Sequence, residues 1–430
     1  MSPLSEIGWL LSLGLVGALL LGFPVAFALG GVALAGFLMI GIDPIVVARR
    51  LISGTQILSL LAIPGFLLAG EIMRVGGLTR RLVRVAVALI GHVTGGLSMA
   101  TAVAGTFFGA ISGSAPATTA AVGSIMPDEM EKRGYRRAYA AAICTGVGPI
   151  GQMIPPSIPM IIWGVLAEES ITRLFLAGMV PGLLAGAGFI LVSYIYGKIH
   201  KVPRTTRATL GELMESVRAG FWALLTPFVI LGGIYTGAFT PTEASMIAVV
   251  YSLFVSMVIH REMRIQDLWM VMLRALRNTA NVVFIIAMAA PFAWLMSYEG
   301  IPVTVATSLL AISDNPIVIL LILNIMLLVI GSLMDNIAAM IILSGVLTTV
   351  GVQIGVDPTQ LGALIVVNFA IGMTTPPIGY ALFVGASVTG VSLERITINL
   401  WPFFLVLLVV LGLVTYVPAV TLALPNMVLQ

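Results

Sequence analysis

Residues 148–157, GPIGQMIPPS, interrupt a long apolar segment in the first half of the chain. Proline has no amide donor and glycine costs backbone entropy in a helix, so the stretch predicts a broken helix. At membrane depth hydrocarbon cannot satisfy the backbone groups that a break frees, and a break persists only where it is buried in protein or lines a polar cavity. We therefore interpret residues 148–157 as half of a binding site.

A second copy of the pattern supports this interpretation. Residues 372–379, GMTTPPIG, lie in an equivalent apolar segment, and the glycine and two prolines at positions 151, 155 and 156 recur at 372, 376 and 377 with one constant offset. Two interrupted apolar segments in corresponding halves indicate the midplane site of a secondary transporter.

The composition is that of a membrane protein. The chain has 430 residues, of which 59% are hydrophobic and 9% are charged, whereas soluble domains carry about 25% charged residues. At about 20 residues per span, this length allows roughly ten to twelve membrane elements. The net charge of +3 comes from short basic clusters between apolar runs, which indicates loops of a membrane protein and no nucleic-acid partner. The single cysteine, Cys144, excludes an intramolecular disulfide and a cysteine metal cluster.

Each half also contains a predicted re-entrant helical hairpin. Basic residues flank residues 95–126 on both sides, so positive-inside logic places both ends in the cytoplasm, which requires a re-entrant hairpin or two tightly turned spans. The interruption at Ser112-Gly113-Ser114 is the predicted tip. The corresponding tip in the second half is Met334-Asp335-Asn336. The halves match at offsets of about 221 to 225, and the order of the spans predicts inverted topology. The expected fold is an all-α, polytopic membrane protein with two inverted-topology repeats, each with a hairpin and a broken transmembrane helix.

Four regions follow from this reading. We expect the first apolar run to be a retained helix and not a signal peptide, since it has no basic flank before it and no cleavage site after it. Residues 43–55 and 265–279 are amphipathic and are predicted to be interfacial arms that brace a mobile domain. The regions are 1–84, scaffold helices and first arm; 85–200, hairpin and broken helix of repeat 1; 201–299, scaffold helices and second arm; and 300–430, hairpin and broken helix of repeat 2.

Several motifs together resemble one known family. They are Met126-Pro127-Asp128-Glu129-Met130 with Arg133-Gly134-Tyr135, Ile154-Pro155-Pro156-Ser157, Thr240-Pro241-Thr242-Glu243-Ala244, and the 372–379 stretch. This set, spread over essentially the whole chain, resembles the large membrane (M) subunit of tripartite ATP-independent periplasmic (TRAP) transporters. The first recognisable element begins near the N-terminus, so we expect no fused small subunit.

The resemblance implies a function and partners. It implies sodium-coupled uptake of a small organic anion, typically a carboxylate such as a C4-dicarboxylate or sugar acid, by an elevator-type transport domain in the bacterial inner membrane. It further implies a small four-helix membrane Q subunit and a soluble periplasmic P subunit that delivers the substrate. Membrane lipid is the remaining expected partner, and Na+ the coupling ion.

The predicted sodium sites combine hairpin tips with helix breaks. Sodium is a hard cation that prefers oxygen ligands, and broken helices supply carbonyl oxygens. The first site comprises Ser112, Gly113, Ser114, Gly148, Gly151 and Ser157. The second comprises Met334, Asp335, Asn336, Gly372, Thr374 and Thr375. Candidate substrate-binding residues are Ser114, Pro156, Thr374, Thr375 and Pro377.

Each of these residues also has a structural alternative. Ser112 and Ser114 are small residues of the kind that pack membrane helices closely. An ionised Asp335 near the bilayer centre costs several kcal/mol unless a cation or water relieves it, but it could instead cap a helix at the hairpin tip. Asn336 could coordinate the ion or cap the following helix, and the two threonines at 374 and 375 could bind substrate or cap their own helix.

Three classes of function compete. A secondary transporter subunit is favoured by the repeat and its two breaks. An ion channel usually needs a repeated pore loop around a subunit axis, and no such loop is evident. An intramembrane serine protease needs a base in reach of its serine. No such base is evident, so no enzyme is expected. The remaining alternative is an autonomous proton- or sodium-driven organic anion carrier that needs no binding protein. Substrate, sodium stoichiometry and oligomeric state are left open.

Overall fold

A computed structural model describes residues 6–429, and every regular element in that range is helical. The α-helices are α1 (Glu6–Trp9), α2 (Leu15–Leu20), α3 (Val25–Ile40), α4 (Pro44–Thr55), α5 (Ala62–Val75), α6 (Leu78–Ile90), α7 (Gly96–Ser112), α8 (Ala115–Gly123), α9 (Met126–Lys132), α10 (Arg137–Met153), α11 (Ile158–Leu166), α12 (Ile171–Ile199), α13 (Leu210–Tyr235), α14 (Pro241–Leu253), α15 (Ile265–Tyr298), α16 (Ile301–Leu310), α17 (Pro316–Leu333), α18 (Asn336–Gln353), α19 (Pro358–Gly372), α20 (Tyr380–Thr389), α21 (Leu393–Tyr416) and α22 (Ala419–Val428). A 3-10 turn at Leu58–Leu61 leads into α5, and π-helical turns occupy Leu10–Gly14 and Phe254–Ile259.

Nine helical segments of the described chain are long and apolar enough to cross a membrane. They are Leu58–Val75, Arg137–Leu166, Ile171–Ile199, Leu210–Tyr235, Pro241–Ile259, Ile265–Tyr298, Pro316–Leu333, Asn336–Gln353 and Leu393–Tyr416. The predicted polytopic, all-α membrane fold is therefore confirmed.

A helical hairpin occurs in each half. The first is α7–α8, where the chain reverses at Gly113 with φ +61°, a left-handed conformation that favours glycine. The second is α17–α18, where Met334 is extended and Asp335 begins the next helix. Both reversals fall inside the predicted tips.

The helix breaks are shorter than the sequence predicts. Gly148, Pro149 and Gly151 lie within α10, which continues to Met153, so the first break covers only residues 154–157. Pro149 leaves the carbonyl of Thr145 without its helical donor, and the Thr119 hydroxyl donates to that carbonyl at 3.4 Å. In the second half α19 ends at Gly372 and the break covers residues 373–379. Both Pro-Pro bonds, 155–156 and 376–377, are cis.

The helices pack in two groups. In one group α10 contacts α7, α8, α12, α19, α20 and α21, and α19 contacts α17 and α18, so each hairpin packs on the broken helix of its own half and the two broken helices contact each other. In the other group α15 contacts α3, α4 and α5, and α5 contacts α14. Glycine allows close approach here, since a Cβ on Gly36 would lie 2.5 Å from the Leu295 side chain. Helix α15 also contacts α18 and so joins the groups.

The second arm is not a separate helix, contrary to prediction. Residues 265–279 form the first half of α15, which continues without a break to Tyr298. Neither glycine nor proline occurs from Ile265 to Ala290, so nothing ends the helix there. The first arm, α4, is separate, with Asp43 capping its start through the amide of Ile45 at 2.8 Å.

Other helix ends also differ from the sequence prediction. The apolar run that predicts the first span of the second half begins at Phe221. Helix α13 begins eleven residues earlier, at Leu210, because Thr209 and Glu212 form a capping box. Helices α16 and α22 were not predicted. The predicted boundary between residues 84 and 85 lies inside α6.

Two acidic residues, Glu71 and Glu243, have structural roles. Glu71 forms an ion pair with Arg74 at 2.8 Å. Glu243 accepts hydrogen bonds at 2.8 Å from both the amide and the hydroxyl of Thr240, which completes a capping box at the start of α14.

Candidate functional site

The first hairpin tip packs directly on the first break. The amide of Ile158 donates to the Gly113 carbonyl at 3.3 Å, and a Cβ on Gly113 would collide with the Pro156 carbonyl. One turn earlier, a Cβ on Gly109 would lie 2.5 Å from the Cα of Gly151. Glycine at these positions therefore lets the hairpin and α10 meet backbone to backbone.

The remaining residues of the first predicted site surround this contact. The hydroxyls of Ser112 and Thr118 lie 3.0 Å apart. Ser114 caps α8 and Ser157 caps α11, each through its side-chain oxygen. Gly148 lies beside α8, where an added Cβ would meet the Ala115 carbonyl at 3.0 Å. The structure thus brings all six predicted residues around one contact, with Gly148 on its margin; five of them are buried and Ser114 is half-buried.

The second hairpin repeats the arrangement. A Cβ on Gly372 would lie 2.8 Å from the Cα of Gly331, and the amides of Ile378 and Gly379 donate to the Ser332 carbonyl at 3.3 and 3.1 Å. The extended Met334 carries the chain from α17 into α18, beside this contact. The second tip and the second break are therefore in contact as the first pair is.

Threonine hydroxyls line the second break. Thr374 and Thr375 both donate to the Ile371 carbonyl at 2.9 Å. This is the predicted capping role, because each bond satisfies a carbonyl at the end of α19. A hydroxyl that has committed its hydrogen still has lone pairs, so both oxygens can ligate a cation but cannot also donate to an anion.

Asp335 caps α18 by accepting from the amide of Ile337 at 2.9 Å. Among residues 6–429 no lysine, arginine or histidine lies within ion-pair distance of its carboxylate. Asn336 is the first residue of α18 and does not cap it. The carboxylate thus stands at the hairpin tip without a cationic protein partner.

A bond that the sequence analysis missed connects the two halves. The side-chain amide of Asn336 donates to the Gln152 side-chain oxygen at 2.9 Å, and both residues are buried. The other polar atom of Asn336, Oδ1, is buried without a hydrogen-bond partner. Gln152 stands inside the 148–157 stretch, where a long amide in an apolar segment is the signal that could have identified it.

The donor set fits a sodium ion. Hydroxyl oxygens, one unpaired carboxylate and the orphaned Asn336 oxygen are hard ligands, and the C-terminal ends of α7, α10, α17 and α19 leave carbonyls without helical partners. At the same places α8, α11, α18 and α20 begin, and their N-terminal amides favour negative charge.

Exposure differs between the two breaks. Pro156 is buried with the whole of its break, whereas Pro377 and its neighbour Ile378 are exposed. Of the candidate substrate-binding residues, Pro377 is the one open to the surroundings, and Thr374 is buried. The region where the hairpin tips meet the helix breaks is therefore open on the side of the second break.

Comparison with known proteins identifies the family. The family model "Tripartite ATP-independent periplasmic transporter, DctM component" matches residues 13–420. The C4-dicarboxylate TRAP transporter large permease protein DctM of Pseudomonas aeruginosa is 44% identical over 88% of this chain and 89% of that protein. The sialic acid TRAP transporter large permease protein SiaM of Vibrio cholerae is 34% identical over 99% and 98%, respectively.

A solved structure shares the fold at low identity. The YdaH transporter of Alcanivorax borkumensis superposes with a TM-score of 0.64 over 96% of this chain and 99% of that one, at 15% identity. Sequence and fold comparisons thus agree with the nine apolar spans. The chain therefore belongs to the DctM family of TRAP transporter large permeases and is a multi-pass protein of the bacterial inner membrane.

Proposed function

We propose that this protein performs sodium-coupled secondary active uptake of a small organic anion. The observation that carries the proposal is the meeting of two hairpin tips with two helix breaks, tied together by the Asn336–Gln152 bond at 2.9 Å. Helix C-termini at this place offer carbonyls to a cation, and helix N-termini offer amides to an anion. One region can therefore hold a coupling ion and its substrate next to each other.

Sodium would be held in two places. Ser112, Ser114 and Ser157 would supply oxygens beside the first break. Asp335, Asn336 and Thr374 would supply them beside the second, where the carboxylate and the orphaned amide oxygen gain a partner. A bound Na+ would add positive charge beside the four helix N-termini and so favour an anionic substrate, which supports symport over exchange.

The substrate class follows from relatives. The Pseudomonas protein is named for C4-dicarboxylates and the Vibrio protein for sialic acid, both of which carry carboxylates. We infer a carboxylate of this size for the present chain, approaching from the exposed side of the second break. The tripartite family implies two partners, a small four-helix membrane Q subunit and a soluble periplasmic P subunit that delivers the anion.

The two packing groups support an elevator mechanism. We propose that regions 85–200 and 300–430, of inverted topology, move as one domain against regions 1–84 and 201–299, with the first boundary placed after α6 because that helix continues to Ile90. Both hairpins and both broken helices belong to the first group, so the site would travel intact. Helix α15 contacts α18 and would form part of the sliding interface.

Uptake into proteoliposomes tests the proposal. The chain and its small subunit are reconstituted, and radiolabelled succinate or sialic acid is supplied with a sodium gradient and a cognate binding protein, each present or absent. We expect uptake only when both are present. Uptake driven by a proton gradient without a binding protein would instead establish an autonomous carrier and refute the tripartite, sodium-coupled proposal.

A further inference from the structure

An elongated apolar groove lies between α12 and α21, away from the hairpin tips. Its volume is about 780 Å³, and its walls include the exposed side chains of Leu191, Ile195, Leu405 and Val409. The helices meet at its floor, where a Cβ on Gly188 would collide with the Val406 side chain. Exposed apolar residues are ordinary on a membrane protein and do not by themselves indicate a ligand. The occupant of the groove is therefore inferred from its length and from the residues at its ends.

The groove has the length of a lipid chain. It extends along α12 from Leu184 to His200 and along α21 from Ile398 to Leu413, and at 1.5 Å per residue either wall is about 23 Å long. One leaflet of hydrocarbon is about 15 Å thick. A single acyl chain lying in the groove would therefore be covered over its whole depth in the leaflet.

One end of the groove is polar and positively charged. Arg136, His200 and Asn399 line it where α10 and α21 begin and α12 ends. The neighbouring arginines are neutralised: Arg133 pairs with Glu129 at 2.8 Å, and Arg137 pairs with Asp128 and Glu131 at 2.9 and 2.6 Å. Within residues 6–429 no carboxylate lies within ion-pair distance of Arg136. Among the residues that line the groove, Arg136 is thus the arginine or lysine whose charge an external anion would neutralise.

We propose that the α12–α21 groove binds an anionic phospholipid, with one acyl chain along Leu191 and Val409 and the phosphate on Arg136. The basic residues at this end, including Lys198 and Lys201, place it in the cytoplasmic leaflet by the positive-inside rule. Guanidinium and phosphate form two parallel hydrogen bonds. A transmembrane helix of another protein would fill the apolar walls but would leave Arg136 without an anion. The inference does not depend on sodium coupling or on an elevator.

Native mass spectrometry of the detergent-purified chain tests the headgroup. Phosphatidylglycerol and phosphatidylethanolamine with identical acyl chains are titrated in parallel. We expect the phosphatidylglycerol adduct to dominate, and Arg136→Gln to lower the ratio of the two adducts about five-fold, the usual contribution of one basic residue near an anionic membrane. Arg133→Gln removes the same charge from a residue already paired with Glu129, and we expect it to leave the ratio unchanged.

A second pair of variants tests the groove itself. Val409→Trp fills the groove and should lower the occupancy of both lipids, whereas Leu183→Trp, at an exposed position of α12 outside the groove, should not. Both side chains are exposed in the structure, so we expect both variants to fold. Equal binding of the two lipids, equal effects of Arg136→Gln and Arg133→Gln, or a co-purified polypeptide that only Val409→Trp displaces would each overturn the proposal.

Discussion

Asn336 and Gln152 are joined by a buried side-chain hydrogen bond of 2.9 Å across 184 residues of sequence. The bond links the start of α18 in the second half to the last turn of α10 in the first. Buried polar bonds of this kind fix one arrangement of their helices, because any other arrangement leaves both groups unpaired.

Removing one partner should therefore cost more than removing both. We expect Gln152→Met to lower the free energy of unfolding by about 1–3 kcal/mol, since it leaves the Asn336 amide buried without an acceptor. The double variant Gln152→Met with Asn336→Leu should recover part of that loss. We expect a coupling free energy between the two substitutions of about 0.5–3 kcal/mol in stability. Thermal unfolding of the purified chain measures both effects. If the two substitutions changed the free energy of unfolding in a strictly additive way, the bond would not be formed. Asn399→Leu is the control, because it removes a less buried side-chain amide.

Close contact between α7 and α10 predicts that Gly109 tolerates no side chain. A Cβ there would lie 2.5 Å from the Cα of Gly151, so Gly109→Ala must separate two backbones. We expect a loss of about 1–3 kcal/mol in stability, as in other overpacked cores, and loss of uptake. Gly232→Ala is the matched control, because a Cβ on that α13 residue meets nothing within 4 Å. Equal unfolding temperatures for the two variants would contradict the packing described.

The proposed second sodium site predicts a shifted sodium response for Asp335→Asn. Asparagine caps helices as well as aspartate does, so α18 should remain folded while the ligand charge is lost. We expect the sodium concentration for half-maximal uptake to rise about ten-fold, equivalent to ~1.4 kcal/mol. Ser114→Ala should raise it as well, at the first site.

Asp357→Asn provides the control for that experiment. Asp357 caps α19 through the amides of Thr359 and Gln360 at 2.8 and 3.2 Å, at the end of the helix opposite the break. Its sodium curve should match that of the unmodified protein. An unchanged curve for Asp335→Asn as well would rule out the carboxylate as a ligand.

His260 predicts a pH-dependent stability. It lies between two membrane spans, and its burial, followed by the nearby charge of Arg81, lowers its pKa below the usual 6.5. The unfolded chain then binds the proton more readily than the folded one, so stability is unaffected above pH 6.5 and declines as the pH falls below it. We expect the unfolding temperature to drop between pH 7.5 and 5.5, and the drop to be smaller in His260→Gln. An identical reduction in His200→Gln, which changes an exposed histidine, would argue against this assignment.

The sequence was most informative where glycine and proline act locally. Proline at 155–156 and 376–377 stops each helix by removing donors, and this effect needs no knowledge of the fold. By contrast, Gly148 and Gly151 remain helical, and the absence of a side chain at these positions allows α7 and α8 to pack closely on α10. That role depends on which helices become neighbours, so no single stretch of sequence reveals it.

The candidate site was predictable in outline and not in its connections. Hydroxyls at 112, 114 and 374 were identified from their position beside the breaks. The Asn336–Gln152 bond joins different repeats, and a search for matching positions compares each residue only with its own counterpart. Comparison of the two halves also explains the wrong prediction for the second arm. The first half, in which α4 is a separate helix, suggested a separate helix at residues 265–279, but those residues contain no glycine or proline to end α15.

The two halves consequently differ in helix continuity. Helix α15 runs for 34 residues, about 51 Å. Residues 265–290 contain neither glycine nor proline, and Pro291 is the position in α15 where a bend is expected. Its counterpart is jointed at residues 56 and 57, between α4 and the span that follows. We therefore expect a displacement of α15 to move residues 265–290 together as one rigid segment, whereas the corresponding displacement in the first half can be taken up by bending at residues 56 and 57.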